Sequence, residues 1–148
     1  MRYSYIACIL LAFAFASCSD DPVALATPCS DDTGSVAVTV SDASPPVIRW
    51  DPDCSVAMLL IEEDASDQWL ISTEEDLWDN AEMANLISPP VTYGAVPDGV
   101  DASGPAATLV EGTTYEVILW RVLPDGSSAD CQQMFGQVCL LAVHEFVR

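Results

Sequence analysis

The sequence predicts an all-β sandwich, and three observations carry that prediction. Short stretches of alternating apolar and polar residues recur along the chain, separated by turns rich in Pro, Gly and Asp. Only one stretch has helical spacing. Apolar residues make up 51% of the chain, enough for a packed core and too many for an acidic disordered tail. A length of 148 residues fits one domain plus a processed segment and excludes a multidomain enzyme.

The elements follow in order. Residues 18–33 are mostly Ser, Asp, Thr, Pro and Ala with little periodicity and read as a spacer ahead of a domain over 34–148. Val36, Val38 and Val40 alternate with Ala37, Thr39 and Ser41, which predicts a half-buried strand over 36–41 that Pro45-Pro46 ends. A second strand covers 47–50, closed by Asp51-Pro52-Asp53, and a third covers 56–62 with apolar residues on both faces. A fourth is 69–72. Ser72 and Glu75 form an S-x-x-E capping box, and Leu77, Ala81 and Ala84 recur at helical spacing, so one short helix is expected within 72–86. Pro and Gly crowd residues 87–106 around Val91-Thr92-Tyr93-Gly94, a brief edge strand between loops. Strands are further expected over 107–110, 115–122 and 138–147, the last two being the longest.

The N-terminus carries an address. Arg2 precedes an uncharged apolar run from Tyr5 to Phe15, the length of a signal-peptide core and too short to cross a bilayer as a helix. The Phe15-Ala16-Ser17-Cys18 stretch after it resembles the lipobox of bacterial lipoproteins, with Phe15 standing where that family usually has leucine. The resemblance implies removal of residues 1–17 and acylation of Cys18, an anchor worth roughly 0.8 kcal/mol per buried methylene. The alternative is an ordinary secretory signal cut near Ala16, which would leave Cys18 a free thiol in an oxidising compartment. Ser19, rather than Asp, follows Cys18, and in lipoproteins this resembles the pattern of proteins forwarded to the outer membrane of a Gram-negative bacterium.

Loss of Cys8 with the signal and acylation of Cys18 leave Cys29, Cys54, Cys131 and Cys139, an even number that reads as two disulfides with three possible connectivities. Zinc is the other use of four cysteines, but there is no C-x-x-C knuckle, and the one histidine, His144, alternates with Leu140, Ala142 and Phe146 in a strand-like run. The 4 basic residues are all Arg, against 23 Asp and Glu, for a formal charge of -19. With Arg2 removed, 3 Arg against 23 acids gives -20. Nucleic acid is excluded as a partner, since phosphate binding needs clustered Lys and Arg. The charge reads as a solvated acidic surface. Calcium is the competing reading at Asp51 with Asp53, Asp98 with Asp101, and Asp125 with Asp130, although none has the spacing of a calcium-binding loop.

Leu109-Val110-Glu111-Gly112-Thr113-Thr114-Tyr115-Glu116-Val117 resembles the tyrosine-corner segment of fibronectin type III domains, where L-x-x-G-T-x-Y-x-V leads into strand F. The resemblance implies an immunoglobulin-like sandwich in which the Tyr115 hydroxyl bonds back to nearby backbone and pins the corner. Trp50, within Ile48-Arg49-Trp50-Asp51-Pro52, likewise resembles the core tryptophan of strand B. On this frame the strands are A (36–41), B (47–50), C (56–62), C′ (69–72), E (107–110), F (115–122) and G (138–147). Antiparallel A and B then bring the chain before A to the end of B, which implies a Cys29 to Cys54 disulfide. Cys131 and Cys139 fall in the F to G connection, and the same frame implies that they pair with each other.

Chemistry is harder to find. A serine or cysteine nucleophile needs a nearby base, His144 is the one histidine, and no nucleophile elbow, phosphate loop or zinc-protease motif occurs. Glu62-Glu63-Asp64 and Glu74-Glu75-Asp76 are two of many acidic clusters and single out nothing. No catalytic residue and no cofactor is assigned. If Tyr115, Val117 and Leu119 point inward, then Ile118, Trp120 and Val122 point outward, beside Leu141, Val143 and Val147 or their alternates. That face is too apolar for water. Ile118, Trp120 and Val122 are therefore a candidate partner face, unless residues 64–106 fold over it, which is the expected arrangement. The expected function is a lipid-anchored, non-catalytic envelope module that binds or spaces an envelope protein or surface glycan. A calcium-dependent carbohydrate-binding module and a small hydrolase are the alternatives.

Overall fold

The computed structural model describes residues 27–29, 36–123, 133–135 and 138–148, with 133–135 described by backbone alone. Strands β1 (Ala37–Val40), β2 (Val47–Asp51) and β5 (Val91–Thr92) form one antiparallel sheet in the order β1-β2-β5. The other sheet runs β6 (Asp101–Ala102), β4 (Ser66–Ser72), β3 (Met58–Glu63), β7 (Thr114–Val122), β9 (Val138–Val147) and β8 (Gln133–Phe135). The expected all-β sandwich is the observed fold.

Period-two alternation fills the space between the sheets. Ile48 and Trp50 enter from β2, Leu59 and Ile61 from β3, Trp69 and Ile71 from β4, and Tyr115, Val117 and Leu119 from β7, all buried in one cluster. Each such aliphatic or aromatic side chain contributes roughly 1.5–3 kcal/mol relative to exposure. Trp69 meets Tyr93 edge-on, with ring centroids 5.3 Å apart. The Trp50 indole N–H donates to the Cys54 carbonyl at 2.7 Å, so this large core ring also has its polar atom satisfied.

Three local features define the frame. The Tyr115 hydroxyl accepts the Val110 backbone N–H at 2.7 Å, fixing the entry to β7. Asp64 and Ala65, at φ 47° and 61°, make the two-residue hairpin joining β3 to β4, a turn that needs positive φ at both central positions. Cys29 is bonded to Cys54, and the Cys29 N–H donates to the Ser55 carbonyl at 3.0 Å while Ser55 N–H donates to Thr27 at 2.8 Å. Thus residues 27–29, assigned by composition to the spacer, already pack on the domain. Closing a loop of sequence separation 25 stabilises the fold by about 3 kcal/mol on the loop-entropy account. Cys139 is disulfide-bonded too, and its expected partner Cys131 lies outside the described residues.

Some element expectations are corrected. Residues 107–110 form no strand, and β5 takes the place beside β2. The backbone there is engaged otherwise: Ala107 N–H donates to Gln68, the Ala107 carbonyl accepts from the Tyr93 hydroxyl, and Val110 N–H goes to Tyr115. The helix within 72–86 shrinks to a 3-10 turn (Glu75–Leu77) and α1 (Ala81–Ala84). Ser72 ends β4 and caps nothing, whereas the Asn80 side chain accepts the Glu82 and Met83 N–H groups and so starts a separate helix. β6 and β8 are edge strands that periodicity did not reveal.

Candidate functional site

The outer face of the large sheet holds a second core. Ala57, Met58, Leu60, Ile118, Trp120, Val122 and Val138 cluster there under Ala81 and Ala84 of α1, with Leu70, Trp78 and Leu140 packed against them. Buried polar side chains tie the cover down. Asn85 Nδ2 donates to Ala81 at 2.6 Å and to Val122 at 2.9 Å, while its Oδ1 accepts the Val122 N–H at 3.0 Å. Asn85 thereby replaces a strand partner at the end of β7. The Thr73 hydroxyl donates to the Ala84 carbonyl at 2.6 Å and accepts from the Trp78 indole at 3.3 Å.

This arrangement corrects the candidate partner face. Ile118, Trp120 and Val122 are 9%, 4% and 1% exposed, so they belong to the interior, and only edges of Ile118 and Trp120 reach the groove beside it. The physical reason is the expected one, because the 72–86 segment returns over them. Further along the same face, β9 stays open at Val143 and Val147. The Trp120 indole N–H is buried and has no hydrogen-bond partner among the described residues.

Beside the covered end lies a groove of about 620 Å³. Met58, Leu60, Leu70 and Ile118 provide its apolar floor, Trp78 and Trp120 one end, and Glu62, Asp67 and Glu75 carboxylates its rim. The register dictates the length. Met58 pairs with Trp120 and Ser72, and Glu62 pairs with Glu116 and Asp67, so the span along β3 from aromatic end to acidic end is four residues, about 13 Å.

At the acidic end a row of carboxylates crosses the sheet. Glu62 stands opposite both Asp67 and Glu116, and Glu116 stands opposite Glu145. Burial raises the Glu62 carboxyl above its ordinary 4.5, and its hydrogen bond with Glu116 and repulsion from Glu116 and Asp67 raise it further. The folded chain therefore keeps this proton to higher pH than the unfolded chain. The sign follows: this group's contribution to stability is greatest below about 4.5 and declines as pH rises through the raised value. Acidifying from neutral pH toward about pH 5 is expected to raise the melting temperature, in part by relieving the overall negative charge. Glu62→Gln should reduce that rise, and an identical pH profile in the variant would contradict the crowding at Glu62.

The remaining sequence candidates do not converge. Asp51, Asp53, Asp98 and Asp101 are exposed, and Asp125, Asp130, Cys18 and Cys131 lie outside the described residues. Among the described residues no three His, Cys, Asp or Glu side chains group as metal ligands. His144 is half-buried on β9 opposite Val117. Arg121, buried on β7, donates to the Cys29 carbonyl at 3.2 Å and so braces the point where the chain enters the domain. Sequence reasoning named neither Leu60, Leu70, Glu62 nor Asp67 as a site, since only the strand register brings them together. Comparison with protein-family models finds no match, and neither curated proteins nor solved structures give a significant one.

Proposed function

We propose that this chain is a lipid-anchored, non-catalytic domain of the bacterial cell envelope, held through Cys18 and presenting a binding surface to an envelope protein or surface glycan. The observation that carries the reading is the groove: an apolar floor with a polar rim, built on the rigid strands β3, β4 and β7. Such a concave site favours a ligand over water. Supporting the anchor are the apolar run from Tyr5 to Phe15 and the lipobox-like Phe15-Ala16-Ser17-Cys18. The spacer is short, and the chain meets the domain at Cys29, where a disulfide and Arg121 brace it. A tethered module needs its attachment point joined to the core. The fibronectin type III-like reading is supported by the Tyr115 to Val110 corner bond and by the β4-β3-β7-β9 order, which corresponds to C′-C-F-G. That scaffold by itself assigns no activity.

Fractionation of cells expressing the full chain tests the anchor. The native protein is expected with membranes, its mature N-terminus an acylated Cys18 by intact mass. Cys18→Ala should leave it unprocessed or released. An unmodified N-terminus upstream of Cys18 would sink the proposal.

A further inference from the structure

We infer that the groove on the outer face of β3, β4 and β7 takes a cationic, apolar segment of a partner protein, extended along the strands with a bulky side chain on the floor and Arg or Lys at the ends. The inference rests on the binding role proposed above and names the partner's chemistry.

The floor decides against a glycan. Sugars stack on open aromatic faces, whereas the half-buried Leu70, with the small edges left open on Met58, Leu60 and Ile118, gives the floor methyl, methylene and thioether surface that suits aliphatic or aromatic side chains. Trp120 lies too deep to act as a platform, being 4% exposed, and the half-buried Trp78 is a single ring at one end of the groove, outside its aliphatic floor. The rim selects charge. Glu75 stands near the Trp78 end, while Glu62 and Asp67 stand at the other, with Glu116 next to Glu62. Cations at both ends of a seated segment would meet carboxylates. A length of about 13 Å fits about four extended residues, so basic side chains flanking two or three apolar ones match the groove. The charge of the whole chain, -19, adds attraction that steers a cationic partner inward.

Trp78 and Trp120 line the groove, which gives the test its signal. The mature acylated protein in detergent is titrated with an acetylated, amidated Arg-Leu-Phe-Leu-Arg peptide while indole emission is followed, with Glu-Leu-Phe-Leu-Glu and an N-acetylglucosamine hexamer as the other probes. The inference predicts saturable binding of the arginine peptide, at least tenfold weaker for the glutamate peptide, and loss with rising salt. Glu62→Gln with Asp67→Asn should weaken it about tenfold. Asp51→Asn with Asp53→Asn removes the same charge from the end of β2 and the loop after it and should leave affinity within about twofold. Leu70→Asn, checked for folding by circular dichroism, should weaken binding without changing its salt dependence. Equal losses from the two charge-removing pairs would mean unspecific attraction and overturn the inference. Preference for the sugar hexamer would overturn it while leaving the binding role intact. Absence of binding by every probe would overturn it and favour a spacer, whereas loss of membrane association in the fractionation experiment bears on the anchor alone.

Discussion

Replacing Trp50 with alanine is expected to destabilise the domain by about 4 kcal/mol, near the middle of the range for deleting a buried aromatic ring. Trp50 lies between the sheets among Ile48, Leu59 and Val117, and its N–H holds the Cys54 carbonyl at 2.7 Å. The substitution therefore opens a cavity and also frees a buried acceptor beside the disulfide. For a domain of this size the melting temperature should fall by about 15 °C, measured by circular dichroism on the oxidised protein. Trp50→Phe keeps most of the volume and loses the hydrogen bond. It should cost about 1–2 kcal/mol, and the gap between the two variants separates packing from polar satisfaction. A fall of only a few degrees for alanine would show that the centre of the sandwich is not packed around this ring.

Trp120→Ala is the second large effect, expected at about 3 kcal/mol. Trp120 contributes to the other core, between β7 and the segment carrying Trp78, Ala81 and Ala84. Its indole N–H is buried without an acceptor among the described residues, so removing it relieves a polar penalty that partly offsets the lost packing. That offset places the value below the one for Trp50. Chemical denaturation should show a lower midpoint with the slope nearly unchanged. An unchanged midpoint would mean that the ring is exposed and that the 72–86 segment does not close over the outer face.

Where a local pattern decides structure, the sequence was informative. The Leu109 to Val117 stretch announces the corner because the glycine and tyrosine spacing is itself the geometry: Gly112 takes a φ of 82° and Tyr115 reaches back to Val110. The outward-facing Ile118, Trp120 and Val122 were legible from period two alone, and so was the need to cover them. What covered them was less so. Leu77, Ala81 and Ala84 mimic one helix, but the Asn80 cap splits the segment into two short pieces, and the docking bonds of Asn85 and Thr73 are long-range. Ala107 to Val110 has the apolar content of a strand yet loses to Val91 and Thr92, because tyrosine hydroxyls already occupy its backbone. The acidic row was invisible for another reason. In a chain with 23 carboxylates, Glu62, Asp67, Glu116 and Glu145 stand out only after the pairing of four strands aligns them.

Both the second core and the groove depend on the 72–86 segment lying closed against β7, and hydrogen exchange of the tryptophan indole protons measured by NMR reads that closure directly. The Trp120 Nε1–H should exchange slowly, because it is buried. Trp50 provides the internal reference of a buried, hydrogen-bonded indole. Slow exchange at Trp120, comparable to that at Trp50, is the result expected of a closed outer face. Exchange at the rate of a solvent-exposed indole would contradict it, returning Ile118, Trp120 and Val122 to the surface and removing the floor on which the binding proposal stands.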